Sequence, residues 1–445
     1  MKNIFFFFEL YIFFSNIISE SNDEINKLLK WAESNNIYIN ENLILNKNRH
    51  YSHNFFYFTS NSSIPNGTTL LKIPYNIMLT QYSLNKHFHD IKNKKWSKKW
   101  DEIVENNSSY ISDFLTKQIF YISIVIENAI NRKKGSLYKK YEPYFDMYEY
   151  INMDNYPVFY EQEEIQFLAY SNFGTELNKL IESLKEEYSI ASNDLKISNS
   201  ILDNFIKYRT LSLGNSISYN NTDLIKEKNY DYNETLIVPF IDCFKKVVSN
   251  KESMSKYLMK KDENNELYLE IISRKKIKKG KEITLKWLDL SNQDSLLFYG
   301  FIEEKNKYAP AFYVNVFNKV FRRDLGVDKN NIYDKIATRD LYELNSESFE
   351  KDVIDSYGNI SKQLKQYKNK KDGKYLMMID NLHYYQRIYD EKYTEDNITY
   401  YILGAEKKNW IRDIIKTEKK IIQTVVDDIN EIIKGIKENK YKGDL

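Results

Sequence analysis

Apolar and polar positions along the chain follow two different periods, and each period predicts a different kind of element. Spacings of three and four residues predict helices, whereas short runs rich in aromatic and β-branched residues predict strands. The predicted helices lie at 23–34 and in the segments "FLTKQIFYISIVIENAI", "EQEEIQFLAY", "TELNKLIESLKEEYSIA" and "ILDNFIKYRTLSLGN". The predicted strands are 55–59, 69–73, "ETLIVPF", "ELYLEIIS" and "KEITLKW", with Gly280 as the turn between the last two.

The chain after Asn306 is predicted to be helical again and to close with one long amphipathic helix. Its segment "NWIRDIIKTEKKIIQTVVDDINEIIKGI" ends near Gly435 and carries one apolar stripe. The stripe consists of Ile411, Ile414, Ile415, Ile421, Ile422, Val425, Val426, Ile429, Ile432 and Ile433. The predicted order is therefore strands, a helical insertion over about 91–220, strands, and a helical C-terminal part.

The first 21 residues differ from the rest of the chain. Lys2 precedes an apolar stretch from Ile4 to Ile18, and the small residues Ser19 and Ser21 follow it. This order is typical of a secretory signal peptide, and the acidic residues after it argue against an organellar transit sequence. We therefore expect a secreted protein or a resident of a secretory organelle, without a membrane span after signal removal. An N-terminal core helix or an uncleaved anchor is the alternative.

Composition and charge limit the remaining functional classes. The 445 residues are 42% hydrophobic, and 65 basic residues against 63 acidic ones give a net charge of +2, so nothing global favours nucleic acid. One cysteine, Cys243, excludes an internal disulfide and a cysteine-based zinc site. The histidines lack a nearby set of further ligands, so no metal site is predicted. They are His50, His53, His87, His89 and His383.

Five segments, in this order and spacing, resemble SET-domain methyltransferases of the Rubisco large-subunit lysine methyltransferase type, an architecture shared with the actin-histidine methyltransferase. They are "INKLLKWAESNNIYINENL", "IPNGTTLLKIPYNIMLT", "KKGSLYKKYEPYFDMYE" with "YPVFYEQEEIQFLAYS", "LIVPFIDCFKKV" and "RKKIKKGKEITLKWLDLSNQDSLLFYGFIEEKN". The resemblance implies an α+β fold: a SET domain of small, β-clip-like sheets over 22–309, then an all-helical substrate-binding-like domain over 310–445.

The resemblance also implies a site for S-adenosylmethionine, and several family positions are altered here. The family's glycine-rich stretch falls on Phe55, Phe56 and Tyr57, where three rings replace bare backbone. Its Ser-Arg pair falls on Asn215 and Ser216, so the cation that would hold the donor's carboxylate is missing.

Two further family positions carry the chemistry most directly. The pattern Asp-x-x-Asn-His appears here as Asp242 followed by Lys245 and Lys246, and two ammonium groups would repel a sulfonium. The family's tyrosine over the methyl-transfer axis falls on Trp287, whose indole offers only an N–H donor. Asp242 and Tyr299 are candidate functional survivors, although each is also explained as a structural hydrogen-bonding residue.

These differences favour a secreted pseudo-methyltransferase that binds a protein partner through its C-terminal helical domain and the neighbouring cleft, without a cofactor. The alternative is an active protein-lysine or protein-histidine N-methyltransferase with a rebuilt S-adenosylmethionine site. A third interpretation is that Lys245 and Lys246 attract a different, anionic ligand.

Overall fold

The computed structural model describes residues 23–47, 56–80, 83–84, 114–194, 201–219, 234–304, 306, 312–316, 319–323 and 373–438. The chain forms two compact units built from interleaved segments. The first contains Met1–Asp154, Ile181–Leu288 and Phe298–Gly300, and the second contains Asn155–Leu180, Asp289–Leu297 and Phe301–Leu445.

Ten short strands of the first unit form one larger sheet and two strand pairs. Sequence order gives β1 Tyr38–Ile39, β2 Leu43–Lys47, β3 Phe56–Ser60, β4 Thr69–Pro74, β5 Ser216–Tyr219, β6 Glu234–Ile237, β7 Lys245–Val247, β8 Ser255–Lys261, β9 Leu267–Ser273 and β10 Thr284–Lys286. The larger sheet has the order β1-β4-β9-β8-β10-β7, and the pairs are β2-β3 and β5-β6. Strand β10 runs parallel to both β7 and β8.

All five predicted strands are present, but their partners could not be read from local pattern. Strands β3 and β4 are consecutive, yet β3 pairs with β2 while β4 pairs with β1 and β9. Gly280 does form a turn with a φ of 75°, the left-handed conformation that glycine adopts readily. The strands on its two sides are not neighbours, because β8 lies between β9 and β10.

The helices of the first unit follow the predicted apolar spacing. They are α1 (23–34), α2 Phe114–Arg132, α3 Ser136–Glu149 and α6 Leu202–Gly214. Helix α2 is apolar around most of its surface, and its described side chains from 118 to 126 are all buried. Helix α5, Asn172–Ser189, is divided between the two units at Leu180.

Aromatic rings fill the core of the first unit. Phe58 of β3 is fully buried, with its ring 5.1 Å from that of Phe244 and 6.2 Å from that of Phe240. Trp31 of α1 stacks on Tyr144 of α3 at 6.0 Å with the ring planes 8° apart. Offset ring pairs at this separation stabilise a core beyond the area that they bury.

The second unit is mainly helical. It contains α4 Gln162–Leu168, α8 Gly373–Lys392, α9 Glu395–Tyr401 and α10 Ala405–Lys437. It also contains helix α7, Asn292–Tyr299, except for its last two residues, which belong to the first unit. The expectation of helix throughout the chain after Asn306 was wrong, because Phe312–Val316 (β11) and Lys319–Arg323 (β12) form an antiparallel hairpin. The run "FYVNVFNKVFRR" is rich in aromatic and β-branched residues, which favours strands over a helix.

Helix α10 confirms the predicted closing helix and runs to Lys437, two residues beyond Gly435. Seven of the ten predicted stripe residues are buried: Ile411, Ile414, Ile415, Ile421, Ile422, Val426 and Ile433. The side chains of the other three, Val425, Ile429 and Ile432, lie outside the described set. Within the described residues, no helix is both long and apolar enough to cross a bilayer. The predicted signal peptide over 1–21 lies outside those residues.

Candidate functional site

A buried carboxylate lies in the tight turn after strand β6. Phe240 adopts a left-handed φ of 66°, and one turn of 3₁₀ helix, Ile241–Cys243, follows it. Asp242 accepts a hydrogen bond from the Tyr144 hydroxyl at 3.3 Å, and that oxygen lies 3.0 Å from the hydroxyl of Tyr148. Burial raises the pKa of the Asp242 carboxyl to about 6, and the opposite charge of Lys246 limits that rise.

Strand β7 separates the two neighbouring lysines. Successive side chains of a strand point to opposite faces, so Lys245 and Lys246 cannot share one environment. Lys245 is exposed, whereas Lys246 is half-buried. The Lys246 ammonium donates hydrogen bonds to the Gly214 carbonyl and to Oδ1 of Asn215, the latter at 2.7 Å.

Two aromatic rings complete the surroundings of this ammonium group. Lys246 Nζ lies 4.7 Å from the centroid of the Trp287 ring and 5.9 Å from that of Tyr299. The two rings meet edge to face at 6.1 Å. A cation at these distances is attracted by the ring quadrupole. We call this group, made of Lys246, Gly214, Asn215, Trp287 and Tyr299, the Lys246 cluster.

Four elements contribute to the Lys246 cluster: helices α6 and α7, of which α7 ends at Tyr299, and strands β7 and β10. Helix α6 ends at Gly214, which places Asn215 at its C-terminus, where the exposed carbonyls favour a cation. Strand β10 runs parallel to β7 with Leu285 opposite Lys246, and the backbone N–H of Trp287 donates to the Val247 carbonyl at 2.9 Å. Trp287, the residue directly after β10, therefore lies beside Lys246 of β7.

Burial also changes the charge balance of the cluster. Desolvation lowers the pKa of Lys246 to about 8, and attraction by Asp242 opposes that shift. At both groups desolvation outweighs the attraction between them, so burial favours the neutral form of the Asp242 carboxyl and of the Lys246 amine.

The other predicted site positions are distributed differently. Phe55 lies outside the described residues, while Phe56 is buried and Tyr57 is half-buried on β3. Because these two neighbours alternate across the strand, the rings cannot line one side of a pocket together. The hydroxyl of Ser216 donates to the Leu213 carbonyl at 2.9 Å, which is a local helix-end contact.

Several participants were not predicted. Gly214 contributes only its carbonyl, which no side-chain pattern reveals. Tyr144 and Tyr148 are spaced four residues apart on α3, and this spacing is the sequence signal from which their shared helix face could have been predicted.

The only cation on α6 with a buried side chain, Arg209, binds Glu187 through two hydrogen bonds of 2.6 and 3.0 Å. The buried Trp287 Nε1 has no hydrogen-bond partner among the described residues.

Solved structures share the fold over nearly the whole chain. A crystal structure of the SET domain of LSMT bound to lysine and AdoHcy is similar with a TM-score of 0.61 and 12% identity, covering 94% of this chain and 93% of that one. The structure of Rubisco LSMT bound to AdoMet matches with a TM-score of 0.55 and 11% identity, covering 93% of each chain. No family model matches the sequence. No curated protein is detectably similar in sequence either.

This likeness confirms the fold class predicted from the sequence. The chain has a SET-type fold of small sheets with a helical C-terminal region of the Rubisco LSMT type. At 12% identity the likeness establishes the fold and leaves the activity open, because function depends on the residues of the site.

Proposed function

We propose that this chain is a SET-type scaffold that does not transfer methyl groups and that works by binding another protein. The observation that carries the proposal is the Lys246 cluster. An ammonium group of the chain itself is held there by two oxygens and two aromatic faces. The solved structures of similar fold hold AdoHcy or AdoMet. A second cation would need these same acceptors and ring faces.

The residues of the cluster do not fit a sulfonium donor. Two like charges about 4–6 Å apart in a partly buried site repel each other by a few kcal/mol. Trp287 stands at the position that the resemblance assigns to a phenol, and its N–H cannot accept a hydrogen bond. Donor binding would therefore require Lys246 to leave its partners, and the cluster would lose the contacts that hold it.

The interpretation of an anionic pocket also finds little support in this geometry. The Lys246 ammonium already donates to two oxygens, and Lys245 is exposed on the opposite face of the strand. The two positive charges therefore do not converge on a common ligand.

Calorimetric titration of the purified full chain with S-adenosylhomocysteine and S-adenosylmethionine tests the loss of methyl transfer. We expect no heat of binding up to millimolar ligand, the range of a free energy of about −4 kcal/mol. Micromolar binding of either compound would contradict the proposal and favour the active protein N-methyltransferase. The double variant Lys246→His with Trp287→Tyr serves as a gain-of-binding comparison.

The proposed protein partner finds a candidate surface on the second unit. Tyr400, Tyr401 and Leu403 are 77%, 40% and 56% exposed, and the Tyr401 ring stacks on Phe167 at 5.0 Å. Large exposed apolar side chains that lie together are typical of interaction surfaces, and tyrosine is enriched among residues that dominate binding energy. We call Tyr400, Tyr401 and Leu403 the Tyr400 patch and propose that the partner docks there.

Quantitative affinity capture with the parent chain and a Tyr400→Ser, Leu403→Ser variant tests this surface. We expect at least one protein to be captured by the parent and lost with the variant. Tyr384→Ser is the matched control, because Tyr384 is 55% exposed on helix α8 and lies outside the patch. Equal capture by all three chains would exclude the patch as the docking surface.

We also propose that the chain enters the secretory pathway through its first 21 residues. The support is their order of one lysine, an apolar stretch and small residues. Mass spectrometry of the N-terminus of the protein from its own cells tests this directly. A chain that starts near residue 22 is expected, and an intact Met1 in the bulk of the protein would contradict it.

A further inference from the structure

The turn between β9 and β10 carries a dense positive charge. Six of the eight residues from 274 to 281 are basic: Arg274, Lys275, Lys276, Lys278, Lys279 and Lys281. The five lysines are all exposed, and the only large apolar side chain among them, Ile277, is 1% exposed. We call residues 274–281 the basic turn.

The backbone of the basic turn is fixed by hydrogen bonds. Ile64 and Ile277 exchange two of them at 2.9 and 3.0 Å, and Ile277 is buried between its charged neighbours. Ser60 accepts from the Gly280 N–H at 2.7 Å and donates its hydroxyl to the Lys278 carbonyl at 2.6 Å. The turn therefore presents its lysines from a fixed frame, and only their side chains lose freedom when an anion binds.

The lysines of the basic turn are not neutralised by the fold. Elsewhere exposed lysines lie beside acids, as in Lys133–Glu149 at 2.9 Å and Lys27–Asp23 at 2.8 Å. No ion pair found in the described part of the chain includes the basic turn. Lys275 donates to the Lys251 carbonyl at 2.7 Å, a neutral acceptor that leaves the charge of the turn unchanged.

Glu282 and Glu252 offset only part of this charge, since the turn itself carries six basic residues. Glu282 directly follows the turn, is half-buried, and has a pKa raised by burial and partly restored by Lys245. Glu252 lies next to Lys251 and forms no ion pair within 4.0 Å among the described residues. The basic turn therefore keeps an uncompensated field that attracts anions.

We propose that the basic turn binds an acidic segment, rich in Asp and Glu, of a partner protein. Free ammonium groups on flexible stems act as point charges, so they suit a flexible chain of carboxylates better than one planar group held by arginine. The turn exposes no aromatic ring on which single-stranded nucleic acid bases could stack. It also exposes no large apolar side chain that would anchor it in a lipid surface.

This surface is independent of the proposed loss of methyl transfer. The basic turn lies in the first unit, whereas the Tyr400 patch lies in the second, and no residue of the Lys246 cluster belongs to the turn. Binding of an acidic segment at the basic turn therefore does not depend on whether the chain binds the methyl donor.

Fluorescence anisotropy with a labelled peptide of alternating Glu and Asp, about 20 residues long, tests the proposal on the full chain. We expect saturable binding that weakens as salt rises, because exposed charges are screened. The variant Lys276→Glu, Lys278→Glu, Lys279→Glu should bind at least about tenfold more weakly. The triple Gln variant of the same positions should fall between it and the parent.

The matched control is Lys30→Glu, Lys134→Glu, Lys139→Glu, which makes the same change in net charge at exposed lysines outside the turn. We expect it to weaken binding by less than about threefold. Equal weakening by both triple variants, or no binding by the parent, would overturn the proposal. Turn-dependent binding that is tighter to phosphatidylserine vesicles or to single-stranded DNA than to the peptide would overturn the assignment to an acidic protein.

Discussion

At the scale of single residues, two adjacent lysines show how a strand assigns different roles to identical side chains. Lys245 is exposed, while Lys246 donates to Gly214 and Asn215 and lies under two rings. The alternation of β7 alone causes this difference. The family resemblance put both lysines beside the donor, because a match of sequence positions does not show which face of a strand each side chain occupies.

Lys246→Met should destabilise the first unit, because it leaves the Gly214 carbonyl and the Asn215 amide oxygen without their donor. We expect a loss of roughly 1–3 kcal/mol in the free energy of unfolding, the cost of leaving buried polar groups unpaired. Chemical denaturation followed by circular dichroism measures it. Lys245→Met is the neighbouring control and should change stability by less than about 0.5 kcal/mol, as exposed substitutions usually do. Equal effects of the two variants would show that the cluster contributes nothing to stability.

At the scale of secondary-structure elements, one carboxylate joins three helices of the second unit. Glu418 of α10 accepts from the Phe173 N–H at 2.8 Å and from the Tyr389 hydroxyl at 2.7 Å. The Tyr389 oxygen in turn accepts from the Asn172 N–H at 2.9 Å. The first amides of α5 are thus capped by side chains of α8 and α10, which satisfies donors that a helix leaves free.

The pH dependence of stability should report on Glu418. Burial raises its pKa from 4.5 to about 7 in the folded chain, so ionisation there opposes folding. The stability that the protonated Glu418 contributes is therefore fully present below about pH 4.5. It is lost as pH rises through 7, and the loss is on the order of 3 kcal/mol in the free energy of unfolding. Thermal denaturation from pH 4 to 8 should show a smaller fall for Glu418→Gln than for the parent. Glu431→Gln, exposed on the same helix, should retain the parent slope.

Gly174 is predicted to be intolerant of any side chain. A Cβ built at this position would lie 1.8 Å from the Leu168 backbone oxygen, so helix α5 approaches the end of α4 too closely for alanine. We expect Gly174→Ala to cost more than about 2 kcal/mol in spite of the better helix propensity of alanine. Glu182→Ala, exposed on the same helix, should stay within about 0.5 kcal/mol. A neutral Gly174→Ala measured by denaturant unfolding would contradict this close approach.

The elements themselves were predictable where the apolar period was long. Helices α2, α5 and α10 carry several turns of consistent spacing, so local sequence determines them. Strands β1, β5 and β7 contain two to four residues, too few for a period to be recognised. Strand β8, with the sequence "SKYLMKK", has no clean alternation because most of its side chains are partly exposed. Strand pairing depends on contacts across the fold, which is why the separate sheets of β3 and β4 were not predicted.

The site was predictable only as a set of positions. The predicted set includes Asp242, Lys246, Trp287 and Tyr299. The parallel register of β7 with β10 is what brings Trp287 beside Lys246, and the sequence alone does not reveal that register. Asn215 was placed at a lost cation position, and its actual role is to accept a hydrogen bond from Lys246. This contact joins a helix end to a strand that follows it much later in the chain, so neither segment reveals it alone.

At the scale of the whole molecule, the SET-type fold is present although sequence identity to solved structures of that fold is low. The SET-type fold extends over about nine tenths of the chain at 12% identity to a solved structure. Buried apolar residues preserve such a fold as long as volume and pattern are kept. Under our proposal, the contacts within the Lys246 cluster hold this region together without a methyl donor.

We propose that Lys246 of the chain itself takes the place of the methyl donor, and a crystal structure of the full chain grown in millimolar S-adenosylhomocysteine tests this. We predict no nucleoside density between Asn215 and Trp287, with Lys246 Nζ still within hydrogen-bond distance of Oδ1 of Asn215. A nucleoside seated there, with the Lys246 side chain turned away, would contradict the claim.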